Sequence, residues 1–304
     1  MTGRGAAWLP IAIALAIMVL WGATPVVTKL AVREIDPVVV GLMRTILGGI
    51  AALPLVLILR IALPRGRLWL PLALSGFCGF VAFPIIFTIG QRMTSAMHSG
   101  LILAMLPILT GLYVAILDRQ RPAGRWWLGC AIAFAGETLL IAGRGPTGAG
   151  QEEASLLGDV LVLIACLFAA AGYVAGARLA QAKYASLGTT LWGISLASLV
   201  LAPALPIVGG PSEHGAWLLD LLPAASPLAW GAVAFIAWIT SILGYMGWYW
   251  ALAQGGIARI GTIQFLQPLS GLVLAFFLLG ERPTLILALA TVMILGGVVI
   301  AWRR

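Results

Sequence analysis

Gln264 and Gln267 stand one helical turn apart beside Pro268, in an otherwise apolar run. A primary amide carries two donors and an acceptor, and apolar surroundings satisfy none of them. The partners must come from a bound polar molecule or from a neighbouring helix. Tyr173, mid-way through another apolar run, poses the same question. Phe83, Pro84 and Phe87 are matched by Gly244, Tyr245 and Trp248, since 244 − 83 and 248 − 87 are both 161. Aromatic residues at i and i+4 share a helix face. On a cavity wall they stack against an apolar or aromatic group; against lipid they are plain surface.

Trp21–Gly22–Ala23–Thr24–Pro25 sets a large ring beside a backbone without a side chain. Trp21, Thr24 and Pro25 could form a binding wall or a gate; the competing use is close helix packing through Gly22. His98, one of two histidines, could hold a carboxylate or accept a proton. It could equally be a hydrated side chain at a loop end. Arg44 and Glu137 are the charges deepest in apolar runs. Lone ions are rare in lipid, so the two are expected to pair. The alternatives are a carboxylate anchor at Arg44 and a proton site at Glu137.

The elements that position these side chains are membrane helices. The 304 residues are 62% hydrophobic and only 9% charged, against about 25% charged in a soluble domain. Apolar runs of helix length, without the alternation of a barrel strand, predict an all-α polytopic membrane protein. Spans are expected at Trp8–Ala31, Val38–Ile61, Trp69–Gly90, Thr94–Ile116, Arg125–Gly143, Leu156–Gln181, Leu187–Gly209, Pro227–Ala253, Ile257–Leu279 and Thr284–Trp302. The first is too long for a signal peptide and no small-residue cleavage site follows it, so it is kept as a mature helix. With the N-terminus placed inside, most of the 18 bases fall in inner loops and tails, among them Arg60, Arg65, Arg67, Arg119, Arg178 and Lys183. The positive-inside rule then puts both termini in the cytoplasm. The net charge of +8 sits in short loops rather than on a soluble face, which excludes a nucleic-acid binder. Cys78, Cys130 and Cys166 form no disulfide or metal pattern, and no metal or cofactor is expected. Gly143–Arg–Gly145–Pro–Thr–Gly148 mimics a dinucleotide fingerprint, but it follows a membrane helix and Pro146 interrupts it.

The chain is doubled. Pro107 is followed by Asp118–Arg119–Gln120–Arg121–Pro122, and Pro268 by Leu279–Gly280–Glu281–Arg282–Pro283, again 161 residues apart. Gly136 and Gly297 keep the same offset. The expected units are residues 1–145, a linker 146–155, and residues 156–304, each unit holding five helices. An odd number makes the second copy enter the membrane from the opposite side, so the ten helices form two inverted repeats. Exchanging the conformations of two inverted copies turns a cavity open to one side into a cavity open to the other. Pro107 and Pro268 are expected near mid-span, where a proline removes a hydrogen bond and kinks the helix.

Trp21–Gly22–Ala23–Thr24–Pro25, Asp36–Pro37 with Arg44, the repeated Leu106–Pro107 and Gln267–Pro268, and Gly280–Glu281–Arg282–Pro283 together resemble the EamA-type branch of the drug/metabolite transporter superfamily. The resemblance covers nearly the whole chain. It implies export of small metabolites through a bacterial inner membrane. Within the branch the chain looks most like aromatic amino-acid exporters of the YddG type. The partners implied are a small-molecule cargo such as an amino acid, whose ammonium and carboxylate would suit the two glutamines, and the lipid bilayer, with the chain working as a monomer. A passive channel and a carrier of anionic nucleotide sugars stay open as rivals, the second disfavoured because only Arg44 is cationic within a span. A lipid-modifying enzyme would need acids and histidines at helical spacing, and Glu137 has no such partner.

Overall fold

A computed structural model describes residues 8–119, 123–142, 155–208, 224–255, 260 and 262–302. Every regular element among the described residues is a helix, with no strand. Ten main helical segments follow one another among the described residues. They are α1 (Leu9–Val32), α2 (Pro37–Ile58), α3 (Gly66–Met93), α4 (Ala96–Leu117), α5 (Gly124–Ala142), α6 (Leu156–Gln181), α7 (Ser186–Ala204), α8 (Pro227–Gly255), α9 (Leu266–Leu279) and α10 (Leu285–Trp302). Seven of them, α1–α4 and α6–α8, are long and apolar enough to cross a bilayer, and α9 and α10 contribute shorter apolar stretches. Starts are set by side-chain caps. Asp36, Ser95, Ser155 and Ser226 each accept a backbone N–H from the first turn of the helix they precede. The outside of the bundle is apolar, with Ile58, Ile207, Phe277, Leu285 and Val292 among its exposed residues, as a lipid-facing surface must be.

The halves pack as a two-fold pair. Helix α2 lies on α7 and α5 on α10, each against its own mate. Helix α1 packs on α8 and α9, just as α6 packs on α3 and α4. The turns show the inversion. On one side, which we call upper, Ser155 donates its N–H to the Met93 carbonyl and Glu34 accepts from Ser226. On the lower side, Tyr184 donates to Ala62 O and Arg178 meets Asp118. Helix α1 therefore ends on the side where α6 begins. Ser226 gives Glu34 both its N–H and its hydroxyl, which hold that carboxyl below the usual carboxylate range.

Two departures from regular α-helix recur at the same offset. In α3 the stretch Phe77–Ala82 is a π turn, and in α8 so is Phe235–Leu243. The Phe83 N–H reaches Cys78 O and the Gly244 N–H reaches Ile239 O, five residues back in both. The fourth and ninth spans contain 3₁₀ turns, Leu103–Met105 and Thr262–Phe265. Pro107 and Pro268 lie in the first turn of the α segments that follow. The expected mid-helix kink is thus a change of helix type just ahead of each proline. A first turn tolerates proline because its N–H would lack a helical partner anyway. Pro25, by contrast, sits inside α1.

Candidate functional site

Four aromatic rings from three helices meet at the centre. Trp21 of α1 stacks on Tyr173 of α6 with centroids 5.9 Å apart and planes 7° apart. Tyr245 and Trp248 of α8 lie 5.2 and 5.6 Å from the same indole. The π turn of α8 is what seats it. Because the Gly244 N–H goes to Ile239 O, the Thr240 carbonyl is left without the usual helical N–H. Trp21 Nε1–H takes that carbonyl at 2.9 Å. Gly244 is required there: a Cβ would stand 2.4 Å from Trp21 Nε1. Next to Trp21, Gly22 crosses Gly271 so closely that a Cβ on Gly22 would lie 2.8 Å from Gly271 N, which brings α1 hard against α9.

On the lower side of this ring layer lies a cavity of about 180 Å³. Pro107, Thr110 and Val114 of α4, Tyr173, Val174 and Ala177 of α6, Trp248 and Leu252 of α8, and Gln264 line it. Its mouth carries Gln181 and the half-exposed ion pair Arg178–Asp118, 2.9 Å between Nη2 and Oδ1. The walls are mostly apolar, yet Thr110 Oγ1 and Gln264 Nε2 are buried without a hydrogen-bond partner. On the upper side of the layer is a much smaller void of about 20 Å³. Trp21, Thr24, Arg44, Phe83, Leu103, Leu106, Tyr173, Tyr245 and Gln267 surround it. Tyr173 faces both spaces.

The upper end is closed by polar contacts around the turn between α3 and α4. Lys29, buried near the end of α1, donates to the carbonyls of Gln91, Arg92 and Thr94 at 3.0–3.3 Å. Glu281 reaches in from the turn after α9. Its two carboxylate oxygens accept the Ala96 and Met97 N–H groups at 2.9 and 2.8 Å, capping α4. Asp159 of α6, fully buried, accepts the Thr94 hydroxyl and lies 3.2 Å from His98 Nδ1. Among the described residues, the lower end carries the Tyr184–Ala62 and Arg178–Asp118 contacts, and the cavity has its mouth there.

The sequence candidates divide accordingly. Trp21, Tyr173, Tyr245 and Trp248 form the layer; Thr24, Phe83 and Gln267 border the upper void; Gln264 and Pro107 border the lower cavity. Phe87 packs behind Phe83, centroids 5.3 Å apart, and lines neither space. Pro25 and Pro268 are buried and also line neither. His98 is not a hydrated loop-end residue: it is 4% exposed and belongs to the upper closure with Asp159. Of the expected Arg44–Glu137 pair, only the Arg44 side is described. Arg44 is held by Ser241, Thr240 and the Phe83 ring, and α5, which carries Glu137, packs against α10 while α2 packs against α7. The Glu137 side chain lies outside the described residues. Sequence reasoning assigned no role to Asp159, Lys29 or Phe80, the last 4.9 Å from Tyr245. Glu281 was noticed only as part of a motif, although a glutamate after Gly280, whose φ is +67°, marks a turn that could reach a neighbouring helix end.

The sequence profile of the EamA-like transporter family matches twice, over residues 8–142 and 156–303. An uncharacterized transporter, YdeK, of Bacillus subtilis is 29% identical, aligned over 88% of this chain and 87% of its own. A probable amino-acid metabolite efflux pump of Escherichia coli is 24% identical over 96% of both chains. A probable terminal-alkyne amino-acid exporter of Streptantibioticus cattleyicolor is 23% identical over 79% of this chain and 75% of its own. One crystal structure, 18% identical, superposes with a TM-score of 0.65 over 96% of each chain, a likeness of fold.

Proposed function

Because the chain belongs to the EamA-like transporter family, we propose that it exports amino acids, chiefly those with aromatic or other apolar side chains, by alternating access. The observation that carries this reading is a chamber between the halves that is open below, walled by rings, one unpartnered amide and one unpartnered hydroxyl, and shut above. Rings supply an apolar, stacking surface for a side chain. Gln264 and Thr110 supply polar contacts that are otherwise costly to leave unmade. Arg60, Arg65, Arg67, Arg119, Arg178 and Lys183 all belong to the lower side. The positive-inside rule makes that side cytoplasmic, with both termini on it, in the plasma membrane of a bacterium. The chamber so placed loads from the cytoplasm, which is the loading side of an exporter. The E. coli and Streptantibioticus relatives are named for amino-acid efflux and export, and this supports the cargo class.

In the proposed cycle, cargo enters past Arg178 and Asp118 and stacks on Trp248 and Tyr173. Closure of the lower mouth and opening of the upper turn then expose it to the outside. The working unit is one chain, its repeats at 1–145 and 156–304 joined by 146–155. Counterflow in proteoliposomes holding the purified protein tests this. Saturable exchange of labelled phenylalanine, leucine or tryptophan is expected, and Trp248→Ala should slow it about tenfold at equal protein. A ring contact of roughly 1.4 kcal/mol corresponds to that factor. Linear, non-saturating flux would make the protein a channel instead.

A further inference from the structure

Arg44 sits seven residues into α2, roughly 10 Å along the helix axis from its start. It is 2% exposed. A guanidinium stays charged under any ordinary condition and has five N–H donors. Its partners are all neutral. Nε–H donates to Ser241 Oγ at 2.9 Å, Nη2 lies 3.5 Å from Thr240 Oγ1, and Cζ stands 5.4 Å over the Phe83 ring. Ser241 and Thr240 both donate their own hydroxyl protons to Ile236 O at 2.8 Å. Their lone pairs are therefore left to face the guanidinium. This fixes one edge of Arg44 against the π turn of α8. Nη1, on the other edge, is buried with no hydrogen-bond partner.

Arg44 borders the upper void, and Gln267 borders it too, with Oε1 buried and equally without a partner. One unmatched cationic donor and one unmatched neutral acceptor thus share a single space. A cation inside a membrane bundle marks a cargo or ion path unless an anion neutralises it, and among the described residues neither the void's lining nor Arg44's partners supply an anion. A carboxylate suits Nη1, because charge-assisted pairing with guanidinium is the strong kind. An ammonium suits Gln267 Oε1. A molecule carrying both, with an apolar side chain among Trp21, Phe83, Tyr173 and Tyr245, is a zwitterionic α-amino acid.

We propose that Arg44 and Gln267 form a second cargo subsite, beyond the ring layer, in which Arg44 binds the cargo carboxylate and so selects carboxylate-bearing molecules. The inference rests on the exporter reading and sharpens it. At about 20 Å³ the void holds one water, so the subsite forms only when Trp21 and Tyr173 part. The lower cavity receives cargo first, and the Arg44 subsite takes it as the layer opens.

The test uses the purified full chain in proteoliposomes, with labelled tryptophan counterflow as the readout. Unlabelled competitors are tryptophan, indole-3-propionate, which lacks the ammonium, and tryptamine and tryptophanol, which lack the carboxylate. Competition is expected from tryptophan and, more weakly, from indole-3-propionate, with tryptamine and tryptophanol at least tenfold poorer than tryptophan. In Arg44→Gln, tryptophan exchange should fall at least tenfold and the preference for tryptophan over tryptophanol should vanish. Equal competition by tryptamine and tryptophan in the wild type would overturn the subsite while leaving the transporter reading intact. So would an Arg44→Gln protein that keeps the preference. If Arg44→Gln fails to fold, the wild-type competitor series decides alone. Absence of counterflow for every amino acid tried would sink the exporter reading, and the subsite with it.

Discussion

Gly244 and Trp21 show how much one missing side chain controls. The indole is held by a carbonyl that the π turn releases, and the space it occupies exists only because residue 244 has no Cβ. Gly244→Ala should push the ring off Thr240, collapse the Trp21–Tyr173 stack, and cut exchange by about tenfold or more. The loss combines one hydrogen bond and one ring contact, each about 1 kcal/mol. Tryptophan fluorescence should shift alongside the loss of exchange, and unchanged kinetics would show that the layer is not on the cargo path. At this scale the sequence was partly readable. Tyr245 and Trp248 and the glutamines beside Pro268 were legible as candidates, while Phe87, the i+4 mate of Phe83, was legible in the same way and lines neither space. The surroundings of His98 were not legible, since they depend on Asp159, 61 residues away. Arg44 and Glu137 were matched by depth, which does not reveal the neutral partners Ser241 and Thr240 that hold Arg44.

Helices here are defined as much by their interruptions as by their length. The π turns of α3 and α8 and the 3₁₀ turns ahead of Pro107 and Pro268 occur in both copies. The sequence revealed the matched prolines but not the change of helix type. A π turn is stabilised by contacts such as Trp21 to Thr240 O and Thr45 to Phe80 O, 2.6 Å, which come from other helices. Helix α4 depends on Glu281, whose removal would leave two buried N–H groups unpaired at about 1–3 kcal/mol each. Glu281→Ala should therefore loosen the upper closure. A cysteine replacing the buried Ala96 should react slowly with an outside thiol reagent in the parent and much faster in the Glu281→Ala background. Equal rates would mean that the cap does not hold the closure.

Across the whole molecule, the halves meet along two self-paired seams, α2 with α7 and α5 with α10. In the second seam Gly136 faces α10 and its mate Gly297 faces α5. A Cβ on Gly297 would lie 2.5 Å from Gly129 O, a backbone atom that cannot step aside. Gly297→Val should lower the melting temperature in detergent, by an overpacking cost of about 1–3 kcal/mol. Exchange per folded molecule should barely change, because no residue of this seam lines either cavity. The doubling, the inversion and the membrane class were all visible in the sequence, since each is a periodic property that composition and offset record. Which end is shut was not visible, for it hangs on a few long-range polar contacts. Glu281 is the telling one: at the corresponding place in the first copy stands Gln120, an amide where the later half has an anion. Two halves of one ancestry thus differ at the very position that clasps a neighbour's helix end. A door held shut on one side only would then owe part of its bias to this carboxylate, shared with the Lys29 and Asp159 contacts beside it.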